Sequence, residues 1–157
     1  MIVVLVSLSI TGIITVNAVE KYFKKSTEDM LLTNAKMTQR IIFGELKDRD
    51  SDLQKTVVDL SLDLGIRLTV IDMKGNILAD SEKPDIMENH MERPEIKTAY
   101  SGKVGKSIRY STTLKTKMMY LAVPLEKENT STGVLRLSIP LSEIKNLSQF
   151  IWGVILS

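Results

Sequence analysis

The stretch Ile66–Ala79, IRLTVIDMKGNILA, decides the fold, because here apolar residues begin to recur at every second position. Ile66, Leu68 and Val70 alternate with Arg67 and Thr69, the pattern of a strand with one face on a core and the other in solvent. Asp72-Met73-Lys74-Gly75-Asn76 follows with turn chemistry, Gly75 being able to take positive φ. Asn76–Ala79 is therefore expected to return as a hairpin partner.

Working outward toward the N-terminus, Leu53, Val57, Leu60 and Leu64 repeat at helical spacing, and Gly65 fits the position just past a helix end. Ser51 and Gln54 stand at capping-box spacing at the start of this helix. Before it, Glu20 to about Lys47 lacks proline, and Leu31, Ala35, Ile42 and Leu46 share one face of a longer helix. Met1–Val19 carries no charged side chain. About 19 helical residues span about 28 Å, close to a bilayer's hydrocarbon thickness, so a retained transmembrane helix is expected at residues 1–19. A signal peptide cleaved after Ala18 and a buried core helix are the alternatives, although no basic residue precedes Ile2 as a signal peptide requires. Lys21, Lys24 and Lys25 would place the following domain in the cytoplasm by the positive-inside rule. The apolar Phe150–Ser157, FIWGVILS, reads instead as the start of a second span, cut short in a piece of a longer protein, and a missing basic N-terminus would remove the conflict.

Outward toward the C-terminus lies Ala79–Glu95, ADSEKPDIMENHMERPE, with the only histidine, two of the four prolines and an excess of acidic groups. It shows no apolar periodicity, and loops beyond about a dozen residues within a compact domain are commonly functional. Pro94 suits the first position of a short helix ending near Tyr100, with Gly102 beyond. Strands are expected over Val104–Ser111, Lys117–Leu125 and Gly133–Ile139, the last with Leu135, Leu137 and Ile139 on one face and Arg136 and Ser138 on the other, stopped by Pro140. Ile144, Leu147 and Ile151 then begin a helix leading to the second span. The sum is an α+β domain over residues 20–149, an antiparallel sheet of about five strands with long helices on one face, set between two spans at 1–19 and 150–157.

Composition narrows the function. Lys and Arg total 21 against 19 Asp and Glu, a net charge of +2, and no basic stripe is present, which argues against a nucleic-acid partner. The absence of cysteine excludes disulfides, thiolate metal sites and a cysteine nucleophile. His90 lacks an HExxH-type companion, and no G-x-S-x-G elbow, Walker lysine loop or G-x-G-x-x-G is found. Neither a catalytic residue nor a metal site is assigned. Asp72, Asp80 and Asp85 have the turn-flanking placement ordinary for Asp, and the Met residues at 87, 91, 118 and 119 read as core or gap filling. Two Asn-x-Ser triplets, at Asn129 and Asn146, match a short pattern that often arises by chance. The candidate ligand-binding set is Asn89, His90 and Arg93, with Arg109 and Lys117 as further members. A histidine and a forked guanidinium near a helix start suit a carboxylate or phosphate. The competing reading pairs Arg93 with Glu88, Glu92 or Glu95 while Asn89 and His90 fix the loop backbone.

The segments Ala79-Asp80-Ser81, Pro84, Met87-Glu88-Asn89-His90 and Arg93-Pro94-Glu95 resemble the extracytoplasmic sensor domain of phosphate-regulon-type (PhoR-like) sensor histidine kinases. So do Gly102, Gly105, Arg109-Tyr110-Ser111, Met119 to Leu125 and Gly133 to Leu137, in order, from about Ile71 to Leu141. The resemblance implies a PAS-like, single Cache (PDC) domain between two spans of a plasma-membrane protein, with the main domain extracytoplasmic. It also implies a homodimer, an unknown small-molecule, ion or protein ligand, and a cognate response regulator. ATP and Mg would belong to a kinase core beyond Ser157. A chemoreceptor using the same sensor fold, and a secreted solute-binding module, are the alternative readings.

Overall fold

The computed structural model describes residues 2–46, 52–82, 88–112, 114–127 and 130–141, without the side chains of residues 2, 5, 8, 9, 127, 130 and 131. The expected helix at Ile144–Ile151, the second span at 150–157 and the asparagines of both triplets, Asn129 and Asn146, lie outside the described residues.

Helix α1, Ile2–Glu45, runs unbroken from the apolar N-terminal block into the domain. At 1.5 Å per residue it is about 66 Å long. Leu31, Ala35 and Ile42 are fully buried along its length, as their spacing predicts. Among the described residues no helix is long and apolar enough to cross a membrane; the segment expected to do so, residues 1–19, is described only in part. Helix α2, Leu53–Leu64, ends on Gly65 with φ 64°, as expected. Its start differs from the expected capping box. Asp52 is the cap, its carboxylate accepting from the Lys55 amide, while Ser51 lies outside the described residues. Gln54 turns inward instead, donating to the Asp80 carbonyl at 2.9 Å and accepting from the Asp80 amide at 3.2 Å.

Strands β1 (Arg67–Ile71) and β2 (Ile77–Asp80) form the expected hairpin, with Thr69 opposite Asp80 and Val70 opposite Ala79. Its turn is held by the Asp72 carboxylate, which accepts from the amides of Lys74 and Asn76, and Gly75 has φ 84°. After the excursion come α3 (Pro94–Tyr100), β3 (Gly105–Ser111), β4 (Thr116–Lys127) and β5 (Thr130–Pro140). The sheet is antiparallel in the order β2-β1-β5-β4-β3, so the hairpin docks against the last strand and the third closes the far edge.

One face of the sheet carries the main core. Leu68, Val70, Met119, Leu121, Val123, Leu125, Leu135 and Leu137 pack against Leu31, Ala35 and Ile42 of α1 and Val57 of α2. The other face is not the solvent face that the alternation suggests. All five residues of β1 are buried, Thr69 completely and Arg67 to 9 % exposure, and Arg136 and Ser138 of β5 retain only 3 % and 1 %. Two segments cover it: Glu88, His90 and Arg93 stand with Arg67 and Arg136 around one cavity, and α3 seals the other end with Ile96 and Ala99 against Ile71, Ala122 and Val134. Its approach is so close that a Cβ on Gly105 would stand 1.9 Å from the Glu95 carbonyl oxygen. The strand pattern is amphipathic, yet both of its faces are inside.

Candidate ligand-binding site

Strand periodicity places Arg67 and Thr69 of β1, Asp80 of β2, Ser107 and Arg109 of β3, Tyr120 of β4, and Arg136 and Ser138 of β5 on the α3 face. Glu95 reaches them from the first turn of α3 and is completely buried. Such groups are inside only because they pair, since burying an unpaired charge is costly. Arg67 donates through Nε and Nη2 to Asp80 at 3.1 Å, and Thr69 Oγ1 donates to the same carboxylate at 2.8 Å. The Asp80 Oδ1 also accepts from the Glu82 amide at 2.9 Å. Glu95 accepts from Ser107 Oγ at 2.7 Å and from Arg109 Nη2 at 3.0 Å. Burial by itself would raise the Glu95 carboxyl, but the bonds from Arg109 and Ser107 outweigh it and hold it below the usual range.

The third guanidinium is less well served. Arg136 Nη2 donates to Thr69 Oγ1 at 3.0 Å, and its nearest carboxylate contact is Nη1 to Glu95 Oε1 at 3.8 Å. Tyr120 offers its ring face to Arg109 at 4.0 Å and to Arg136 at 5.3 Å. Burial draws Arg136 down to about 10, against the pull of Glu95, so it is charged at neutral pH.

These groups surround a cavity of about 30 Å³, lined by Arg67, Glu88, His90, Arg93, Arg109, Ser111, Thr112, Tyr120 and Arg136. That space is enough for a water or two, or for the head of a small polar ligand. Four buried side-chain atoms among the described residues have no hydrogen-bond partner: His90 Nδ1, Arg109 Nε, Arg136 Nε and Ser138 Oγ. Three belong to residues lining this cavity, and Ser138 lies on the same face, opposite Tyr120 in the β4–β5 ladder. Buried polar groups are rarely left unpaired, so their concentration at one place marks where a polar occupant fits. His90 is 5 % exposed. Burial, then the charges of Arg136, Arg93 and Arg109, push it down to about 4 against the pull of Asp80, so it is neutral at physiological pH.

Of the five residues selected from sequence, His90, Arg93 and Arg109 meet at the cavity. Asn89 does not line it. Its amide donates to the Lys74 carbonyl and its Oδ1 accepts from the Met91 amide, tying the loop to the β1–β2 turn. The same turn receives the His90 amide at the Gly75 carbonyl. Lys117 is also apart, because it opposes Tyr110 on β4, one residue out of phase with Met118 and Tyr120, and it is exposed. Arg93 pairs with Glu88, as the competing reading holds, yet it still borders the cavity. The start of α3 offers few donors: Pro94 has no N–H, the Ile96 and Lys97 amides bond to the Arg93 carbonyl, and the Glu95 amide serves its own carboxylate. Arg67, Tyr120 and Arg136 were missed because charged residues in the polar phase of a strand normally face water. The signal that identifies them is the excursion of residues 80–95, which has to cover some part of the sheet. No group of three or more His, Cys, Asp or Glu able to hold a metal is found among the described residues.

Comparison with solved structures supports the fold. The sensory domain of the Campylobacter jejuni chemoreceptor Tlp3 with isoleucine bound superposes with a TM-score of 0.65 at 14% identity, covering 92% of this chain and 65% of that one. The V. cholerae histidine kinase DctB sensor domain gives 0.57 at 19% identity over 78% and 45%. The E.coli DcuS sensor domain gives 0.53 at 18% over 66% and 78%. The chain thus spans just under two thirds of the length of the Tlp3 domain. None of the curated proteins matches the sequence significantly. The single Cache-like family matches residues 21–140, from the exit of the apolar block to the last residue of the sheet, and the chain belongs to that family.

Proposed function

We propose that this chain is the sensory input region of a membrane-embedded two-component histidine kinase of the phosphate-regulon type. The observation that carries the sensory reading is the set of four unpartnered buried polar atoms gathered on one face of the sheet, beside a cavity. A ligand there changes the balance between two arrangements of the domain only through unequal affinity for them. The motifs running from Ala79-Asp80-Ser81 to Gly133–Leu137 favour the kinase type.

Membrane attachment through residues 1–19 is part of the same proposal. Val3, Val4, Val6, Ile10, Ile13 and Ile14 are all between 47% and 80% exposed, which suits a bilayer and does not suit water. The hydroxyls of Ser7, Thr11 and Thr15 each donate to a carbonyl of the preceding turn, so they carry no unmet donor into lipid. A homodimer, and a response regulator acting through a kinase core beyond Ser157 that uses ATP and Mg, complete the proposal. The likeness to the Tlp3 domain favours a second reading, a chemoreceptor with the same input domain.

Full-length protein in membrane vesicles separates the two. Supplied with ATP and Mg, it is expected to incorporate acid-labile phosphate on histidine and pass it to a response regulator. Retention in the membrane fraction without any ATP-dependent phosphorylation overturns the kinase reading in favour of the chemoreceptor. Release of a soluble chain beginning at Val19 overturns both.

A further inference from the structure

Contacts between α1 and the sheet show which end of the domain lies beside the apolar block of α1. Lys106 of β3, opposite Leu121 of β4, pairs with Glu28, while Gln39 donates to the Pro124 carbonyl. Descending α1 from Gln39 to Glu28 therefore means descending β4 from Pro124 to Leu121. Nine helical residues further, about 14 Å, α1 reaches Val19 and its apolar block. Five strand residues further, about 17 Å, β4 reaches its first residue, Thr116. The β3–β4 turn thus stands beside the point where α1 leaves the apolar block. The chain also passes there on leaving β5, the Leu141 amide donating to the Lys117 carbonyl. The β1–β2 turn lies at the opposite end, beyond Ile71, which faces Val134 and through it Pro124.

Three aromatic rings are exposed among the described residues, and all three are at the end beside the block. Tyr22 and Phe23, 71% and 37% exposed, follow the apolar block edge to face, their centroids 6.1 Å apart. Tyr110, 60% exposed, stands near the end of β3 opposite Lys117. Lys115 and Lys117 are exposed on the hairpin, and Lys21 and Lys25 on α1. The acids at this level, Glu20, Glu28 and Asp29, are held by Lys24, Lys106 and Lys25. Residues 142–149 add one acid and one base, Glu143 and Lys145, which leaves the sign of the patch unchanged. Lys115 takes a left-handed φ of 51°, where glycine would close the turn without strain. A cation held at some conformational cost on an exposed tip points to a function for its charge.

We propose that the tip of the β3–β4 hairpin, Tyr110, Leu114, Lys115 and Lys117, docks on the anionic phospholipid headgroups of the bilayer that α1 enters. The inference rests on the membrane attachment through residues 1–19 proposed above. Rings seat among headgroups, and lysines meet the negative potential of the lipid surface. Two points of contact, α1 and the hairpin, fix the rotation of the domain about α1, which a single helix leaves free. Strand β3 also carries Ser107 and Arg109, which hold Glu95, so the lipid contact and the cavity share one strand. Lys117, out of phase with the cavity, belongs to this surface instead.

The chain has no cysteine, so a thiol-reactive fluorophore marks single positions cleanly. Thr112→Cys places it on the hairpin, and Lys74→Cys places a control on the β1–β2 turn at the far end. The 157-residue chain is reconstituted in vesicles of mixed phosphatidylcholine and phosphatidylglycerol carrying a headgroup nitroxide quencher. Flotation with the vesicles reports the anchor, and quenching reports the hairpin. Quenching at residue 112 is expected to exceed that at residue 74 severalfold. A lysine near an anionic surface is worth roughly fivefold, so Lys115→Gln with Lys117→Gln should weaken the contact by roughly 10–30-fold. Vesicles of phosphatidylcholine alone should weaken it comparably. Flotation with residue 112 quenched no more than residue 74 overturns the docking and leaves the anchor standing. Quenching at residue 112 that is unchanged by the double substitution and by neutral lipid overturns it as mere proximity. Quenching that rises as the protein is diluted into excess lipid overturns it in favour of a second copy covering the hairpin. Failure of the parent chain to float overturns the anchor and the docking with it.

Discussion

Arg67 and Asp80 face each other across the β1–β2 hairpin, with Nε and Nη2 each 3.1 Å from a carboxylate oxygen and neither side chain more than 7% exposed. Arg136 lies on the same face, and among the described residues its nearest carboxylate oxygen is 3.8 Å away. The two arginines should therefore respond oppositely to removal of their charge. Arg67→Met strands Asp80 and is expected to destabilise the domain by about 3–5 kcal/mol. Arg136→Met removes a buried cation whose nearest carboxylate contact among the described residues is 3.8 Å, and is expected to be neutral or stabilising. Urea unfolding of the two variants decides the matter, and equal destabilisation would show that Arg136 is compensated after all.

Gly105 permits the contact on which the site depends. A Cβ there meets the Glu95 carbonyl oxygen at 1.9 Å and its carbonyl carbon at 2.7 Å, backbone atoms with no side-chain freedom to yield. Gly105→Ala is expected to lift α3 from β3 and to cost about 1–3 kcal/mol, the usual range for overpacking. The same shift takes the Glu95 carboxylate away from Ser107 and Arg109. Thermal unfolding should show the loss, and amide exchange in Ile96–Tyr100 should rise more than in β4. Unchanged protection of α3 would contradict this placement of the glycine.

The buried histidine makes stability depend on pH in a window where few other groups titrate. His90 is pushed down to about 4, first by burial and then by Arg136, Arg93 and Arg109, with Asp80 opposing; Glu88 is its nearest acidic neighbour, 3.9 Å from Nε2. Between pH 6.5 and about 4 the unfolded chain binds a proton that the folded chain refuses. Stability consequently falls as pH drops through that window, by on the order of 2–3 kcal/mol for this group, and levels off below it. Glu95, depressed below the usual carboxylate range, loses its contribution only at lower pH, below about 4.5. His90→Gln should flatten the stability profile between pH 6.5 and 4.5 while leaving the acid limb in place. A slope that survives the substitution would assign the titration to another group.

The sequence marks the parts of this fold that follow from local chemistry. The change of period at Ile66, the Asp72–Asn76 turn, the Gly65 cap and the apolar stripe through Leu31, Ala35 and Ile42 all lie where periodicity and turn residues put them. The site was only half legible, for one physical reason. Alternation tells which residues share a face, and it cannot tell whether that face meets water. Arg67 with Thr69, and Arg136 with Ser138, carry the pattern of solvated strands, and only the tertiary cover of the 88–93 segment and α3 makes them a buried network. Lys117 illustrates the converse error, being close in sequence to Tyr120 and one residue out of phase with it. Gln54 has the spacing of a cap, and its two bonds to Asp80 show a tertiary contact taking precedence over a local one.

A last prediction concerns the path from the cavity to α1. On the helix-facing side of the sheet, Lys106 of β3 pairs with Glu28 of α1, and Gln39 of α1 donates to the Pro124 carbonyl of β4 at 2.8 Å. Lys106 adjoins Ser107, whose hydroxyl holds Glu95 on the opposite face, so the edge strand touches both the site and α1. The ion pair is 46% and 25% exposed and is worth little as stabilisation, about 0–1 kcal/mol. Its consequence for coupling is expected to be larger, because α1 continues to residue 2 without a break, a rigid element along which a displacement at Glu28 would be carried. Lys106→Gln is expected to leave Tm within roughly 2–4 °C of the parent and ligand affinity within about twofold. The change in signalling output produced by the ligand should fall severalfold, and Gln39→Ala should add to the effect. The measurement is ligand-dependent phosphorylation, or the downstream output, of full-length protein in vesicles, set beside the binding curve of the same preparation. Binding and output reduced in parallel would place Lys106 in the site's own support; output lost with binding intact places it on the route to α1.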